Sequence, residues 1–214
     1  MRLLLPALLL ATTATAAPVV IKVTSYATPL ESDFGDKATQ TVRWRIDGHK
    51  TFHESLFVPG FVSRDSDDPK HPGINGAGME GCGWIDPALH KGDAALSAAL
   101  AKGYRVLTLD RWVEKTKTAV FVLTKHPIGG GDGAPLVEGE SASVREGNKA
   151  FPMGRWVRLY KDGKPFGARR LHDDCSSCET DYHIDLYRRL DDGSITEGRW
   201  EAELLPAGFK PEKK

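Results

Sequence analysis

Three of the four Asp-Gly pairs, Asp47-Gly48, Asp162-Gly163 and Asp192-Gly193, each interrupt a run in which apolar and polar residues alternate. A two-residue loop between antiparallel strands needs positive φ at both central positions, and Asp-Gly accepts that conformation at little steric cost. The flanking runs fit. Val42, Trp44 and Ile46 fall on one side of a strand, Arg43, Arg45 and Asp47 on the other, the period of two that gives a sheet one apolar and one wet face. GRWVRLYKDGKPFGARRL and HIDLYRRLDDGSITEGRWEAELL read as second and third hairpins of the same kind. The chain is therefore expected to be mainly β (α+β), an antiparallel sheet of hairpins with one helix packed against it.

That helix is expected in DAALSAALAKG, residues 93–103. Asp93 suits an N-cap, because its carboxylate accepts from the free amides of a first turn. Leu89, Leu96 and Leu100, with Ala95 and Ala99, line one helical face. Gly103 stands where a left-handed C-cap is wanted. Tyr104–Val113 then carries too many β-branched and aromatic residues to stay helical. Further strands are expected at 18–27, 118–124 and within 136–146. Residues 63–87, rich in Gly, Pro and Asp, read as one long loop, and 207–214 as a solvated tail.

MRLLLPALLLATTATAA has one basic residue, a short apolar run and small residues at Ala14-Thr15-Ala16. It reads as a signal peptide over 1–16, leaving 17–214 as a single exported β-rich domain. No later stretch is apolar enough to span a bilayer. Lys+Arg and Asp+Glu are equal at 29 each, a balance that argues against nucleic acid or an anionic membrane as partner.

Three cysteines in an exported chain suggest one disulfide and one spare thiol. Cys175 and Cys178 either bridge each other, or one of them pairs with Cys82. A redox-active CxxC is disfavoured, since Asp173, Asp174 and Glu179 surround the pair and would raise a thiol pKa. His172, Cys175, Cys178 and His183 have the chemistry of a zinc set, though without two separated ligand pairs. Gly76-Ala77-Gly78-Met79-Glu80-Gly81 matches the dinucleotide fingerprint in letters, but no strand feeds it and Cys82-Gly83-Trp84 follows where a helix must begin. It reads as a flexible loop, and no cofactor is expected. Trp44, Trp84, Trp112 and Trp156 are the candidates for a binding surface, because exposed tryptophans stack on sugars or anchor proteins. Their placement in or beside predicted strands equally fits core packing.

From Leu96 onward the pattern resembles the CsiV family of periplasmic proteins. The matching pieces are LSAALAKGYRVLTLDRW, LVEGESASVREG and the late hairpins. Leu109 or Asp110, and Glu114, stand where that family carries a histidine and a glutamine, and the Cys175–Cys178 loop is this chain's own. The resemblance implies a non-enzymatic periplasmic binding or regulatory protein linked to peptidoglycan synthesis, with an envelope protein or glycan as partner. It transfers no residue-level site. The alternative is an envelope hydrolase or metal-binding enzyme using the 172–183 cluster.

Overall fold

The structure, a computed structural model, describes residues 17–63, 75–116, 118–188, 195 and 197–211. The proposed signal peptide, most of the 63–75 segment and the Asp192-Gly193 turn lie outside the described residues. Among the described residues eleven strands run in order: β1 (Val19–Ala27), β2 (Gln40–Ile46), β3 (Phe52–Phe57), β4 (Cys82–Trp84), β5 (Val106–Val113), β6 (Thr118–Thr124), β7 (Ser141–Val144), β8 (Trp156–Lys161), β9 (Lys164–Asp174), β10 (His183–Arg188) and β11 (Trp200–Leu204). Helices α1 (Pro59–Val62), α2 (Ala77–Glu80) and α3 (Ala94–Ala101) and the 3-10 turns Glu31–Phe34 and Pro87–His90 lie between them. The chain is mainly β with few helices.

The strands divide between two sheets. Six close a barrel in the order β1-β10-β7-β9-β8-β11, and five form an open sheet in the order β3-β2-β6-β5-β4. Each encloses its own apolar cluster. Trp44, Phe57, Phe61, Leu96, Leu107 and Phe121 fill that of the sheet, under α3. Ile21, Val23, Val157, Leu159, Leu171, Ile184 and Trp200 are among those filling the barrel. The single antiparallel sheet of the sequence reading is corrected here, because β1–β10, β2–β6 and β7–β9 pair in parallel.

The third hairpin is also corrected. β10 and β11 do not pair with each other; β1 lies between them, parallel to β10 and antiparallel to β11. Inserting the N-terminal strand closes the barrel and leaves no open edge there. At the second hairpin, Asp162 (φ 51°) and Gly163 (φ 74°) both take positive φ, as the Asp-Gly pair demands. At the first, only Gly48 is positive (φ 75°). The Asp47 amide instead donates to Leu123 of β6, which extends the pairing and lengthens the loop.

Local helix signals operate as read. Asp93 accepts from the Leu96 amide at 2.9 Å, and Gly103 takes φ 86° beyond α3. The 63–87 loop is corrected over its described part, since 75–87 holds α2, β4 and the start of a 3-10 turn. Gly76 and Gly78 are there for contact rather than flexibility. A Cβ on either would strike the backbone of Gly60–Ser63, so two glycines let α2 press on α1. Gly81 (φ 83°) ends α2 in the left-handed conformation.

Candidate functional site: a polar cleft between barrel and sheet

Alternation along the barrel strands decides what faces outward. Ile21, Val23, Ala142, Val144, Ile184 and Leu186 point into the barrel core, so Thr24, Tyr26, Ser141, Ser143, His183 and Asp185 lie on its outer face. β9 joins them through a bulge: Ala142 pairs with Leu171 but Ser143 with Asp173, leaving His172 as the extra residue. Four neighbouring strands thus present hydroxyls, carboxylates and imidazoles. The loop 125–140 and the β4–β5 edge of the sheet partly cover them.

Between these parts lies a cleft of about 570 Å³. Tyr26, Ser143, Asp173, Asp174 and Asp185 line its barrel side, Met79, Glu80, Cys82, Thr108 and Leu109 its sheet side. Gly129 and Gly130 form a third wall, followed by Cys175–Ser177. Among the described residues no lysine, arginine or histidine lines it.

The polar groups are mostly engaged with one another. The Tyr26 hydroxyl donates to Asp173 Oδ2 at 2.7 Å. Asp173 Oδ1 accepts from the Asp174 amide at 3.0 Å and from the Gly130 amide. Thr24 donates to Asp185 Oδ1 at 2.7 Å and lies 2.9 Å from His183 Nε2. Just past β1, Thr28 Oγ1 meets Tyr187 Oη at 2.9 Å and, across the seam to the sheet, lies 3.7 Å from Cys82 Sγ. The Gly129-Gly130-Gly131 run lies directly on β9, where a Cβ would meet the His172 carbonyl, Asp174 or Met153.

Burial quiets the acid–base chemistry here. It raises the Tyr26 phenol far above its ordinary range, and the neighbouring Asp173 charge adds to the effect. Burial likewise raises Asp173, partly offset by hydrogen bonds from Tyr26 and Gly130. The free Cys82 thiol is pushed up to about 12 by burial and stays protonated at neutral pH. His183 is held below its usual value, first by burial and then by Lys22.

Cys175 and Cys178 are bonded to each other and Cys82 is free, which selects among the pairings left open by the sequence. The zinc set is corrected. Both sulfurs of the CxxC are consumed, His172 is held by Asp132 and Ser141, and His183 by Thr24 and the Glu179 amide. Among the described residues no group of three or more His, Cys, Asp or Glu is placed to share an ion.

The tryptophans do not form one surface. Trp44 is fully buried, donates to Ser55 Oγ at 2.7 Å and stacks on His53, so its binding-surface reading is corrected to packing. Trp84 is half-buried beside Leu30, Trp112 packs on the sheet core, and Trp156 meets the Phe209 ring.

One constellation has no counterpart in the sequence reading. His172 Nε2 lies 2.8 Å from Ser141 Oγ, and Nδ1 lies 3.1 Å from Asp132 Oδ1. Asp132 is held below the usual carboxylate range. Burial opposes this, but the Ala134 amide, His172 and Arg170 together outweigh it. The order Asp–His–Ser is that of a nucleophilic triad. Ser141 is only 1% exposed, however, and its Oγ accepts from the Val137 amide at 2.7 Å. The serine is tied beneath the loop. Asp132 sits in the GGGDG run that reads as a connector, and separations of 31 and 40 residues hid the grouping.

No protein-family model matches the chain, and no curated protein matches its sequence.

Proposed function

We propose that this chain is a non-enzymatic binding or regulatory protein of the cell envelope, acting by holding a hydroxyl-rich ligand, a glycan or a glycan-bearing partner, in the cleft. The observation that carries this is the state of the reactive groups. The cleft thiol is protonated, the CxxC is oxidised, and the Asp173 carboxylate is already engaged by hydrogen bonds within the protein. Such a surface recognises shape and hydroxyls rather than transforming them. Carboxylates and hydroxyls beside the apolar edges of Met79 and Leu109 suit sugar rings. The resemblance to the CsiV family supports a link to peptidoglycan. A disulfide suits the oxidising compartment that an export signal implies. Among the described residues no helix is long and apolar enough to cross a membrane.

Co-sedimentation with purified peptidoglycan sacculi tests the reading. The wild type pellets with the sacculi, and Asp174→Ala combined with Met79→Ala, both at exposed positions of the cleft, weakens the association several-fold. Equal recovery in the supernatant with and without sacculi refutes it.

The Ser141–His172–Asp132 alignment favours a second reading, a hydrolase whose loop lifts to uncover the serine. Covalent labelling of Ser141 by a fluorophosphonate, abolished by His172→Gln, would establish it over the first.

A further inference from the structure

A second cavity, of about 250 Å³ and sharing no lining residue with the cleft, occupies one mouth of the barrel. β8 ends there at Lys161, β10 ends at Arg188, and β9 begins. Leu186 and Ile195 of the barrel core form its floor. Phe166 forms a wall, 38% exposed and set edge-on against Trp200 with 4.7 Å between ring centroids. Among the described residues, Lys161, Arg169, Arg188 and the carboxylate Glu138 are the charged groups that line the cavity.

Arg169 is the informative residue. It is half-buried, its guanidinium lies 5.0 Å from the Phe166 ring centroid, and Nη1 donates to the Ala168 carbonyl at 2.9 Å. Among the described residues it forms no ion pair with a carboxylate. Burial depresses its pKa, and among the described residues no neighbouring acid counters that effect. A partly desolvated cation without a counter-charge is unfavourable unless something else supplies one.

The backbone is shaped around this side chain. Leu159 pairs with Gly167 and Tyr160 with Pro165, so Phe166 is the extra residue of a bulge that turns it towards the mouth. Gly167 takes φ 132°, and a Cβ there would come within 3.0 Å of Arg169 Nη1. Glycine is favoured there by the positive φ, and a side chain in its place would crowd the end of Arg169.

We infer that the barrel mouth binds a small oxyanion, a carboxylate or a phosphate, carried on a planar apolar group that lies against Phe166, with Arg169 as the anchoring fork. A guanidinium offers paired N–H donors matched to two oxygens of either anion, and barrel mouths are common ligand sites. This site stands apart from the cleft and does not depend on what the cleft holds.

Isothermal titration of the whole protein at constant ionic strength tests it, with benzoate, phenyl phosphate, inorganic phosphate and neutral benzyl alcohol as probes. At least one of the aromatic anions binds and benzyl alcohol does not; the ranking of benzoate against phenyl phosphate assigns the carboxylate or the phosphate. Arg169→Met weakens the preferred anion at least tenfold. Phe166→Ala weakens the aromatic anion relative to inorganic phosphate. Should Arg169→Met fail to fold, Gly167→Ala and Arg169→Lys carry the test, the first crowding Nη1 and the second keeping the charge while losing the fork. Each then weakens the preferred anion several-fold. No heat with any anion, equal binding of benzyl alcohol, or wild-type affinity in the folded Arg169 variant overturns the inference.

Discussion

Glu31 is fully buried, and its carboxylate holds three elements of the sheet half together. Oε1 accepts from the Val58 amide, the N-cap of α1, at 3.1 Å. Oε2 accepts from the Asp86 amide at 3.3 Å and meets His90 Nε2 at 2.7 Å, with His90 itself only 4% exposed. Glu31→Ala strands two backbone donors and a buried imidazole. Each unsatisfied buried group costs ~1–3 kcal/mol, and removing one partner of a buried pair costs ~3–5 kcal/mol. The two figures describe the same loss, so about 3–5 kcal/mol is expected, a large share of the roughly 5–15 kcal/mol of an ordinary domain. Glu31→Gln keeps the shape and one acceptor oxygen but turns an amide N–H₂ towards a donor, so about 2 kcal/mol is expected. Urea unfolding followed by tryptophan fluorescence measures both, with Trp44 reporting on the sheet core. If sheet and barrel unfold separately, the loss falls on the sheet transition alone. A cost below ~1 kcal/mol for Glu31→Ala would refute the assignment of this carboxylate as the tie among these elements.

Thiol counting without reductant should find no reaction with iodoacetamide at pH 8 in the folded protein, one labelled cysteine in denaturant and three after reduction. Rapid native labelling of Cys82 would contradict its burial and its raised pKa. Acid should weaken the 125–140 loop through Asp132. Its folded pKa is lowered, so its contribution to stability is complete above the unfolded value of about 3.9 and is lost as pH falls through the lower folded one. Melting curves of wild type and Asp132→Asn should therefore differ at pH 5–7 and converge near pH 2; a constant difference would sink the idea. Gly131→Ala should cost ~1–3 kcal/mol, because its Cβ meets the His172 carbonyl at 2.8 Å as well as Met153, whereas Gly133→Ala should cost only ~1 kcal/mol for its φ of 68°. Thermal denaturation of the two variants checks the order.

Interactions within a few residues were legible from the chain alone. The alternation of β2, the Asp162-Gly163 turn, the Asp93 cap and the Gly103 stop are each set by φ/ψ preference or by bonds spanning three or four positions. A mainly β chain with α3 against a sheet follows from these. Partner choice among strands does not, because every strand offers the same backbone donors and acceptors and its neighbour is selected by how all of them pack. Only the tertiary structure places β1 between β10 and β11, closes six strands into a barrel and leaves five in an open sheet. The same holds for the sites. The CxxC pairing joins cysteines three residues apart, but Tyr26 reaches Asp173 across 147 residues, on the outer face where a bulge turns Asp173, and His172 meets Ser141 and Asp132 across 31 and 40 residues. Contacts so distant in sequence leave no periodic trace, so the cleft and the barrel mouth exist only once the chain has closed on itself.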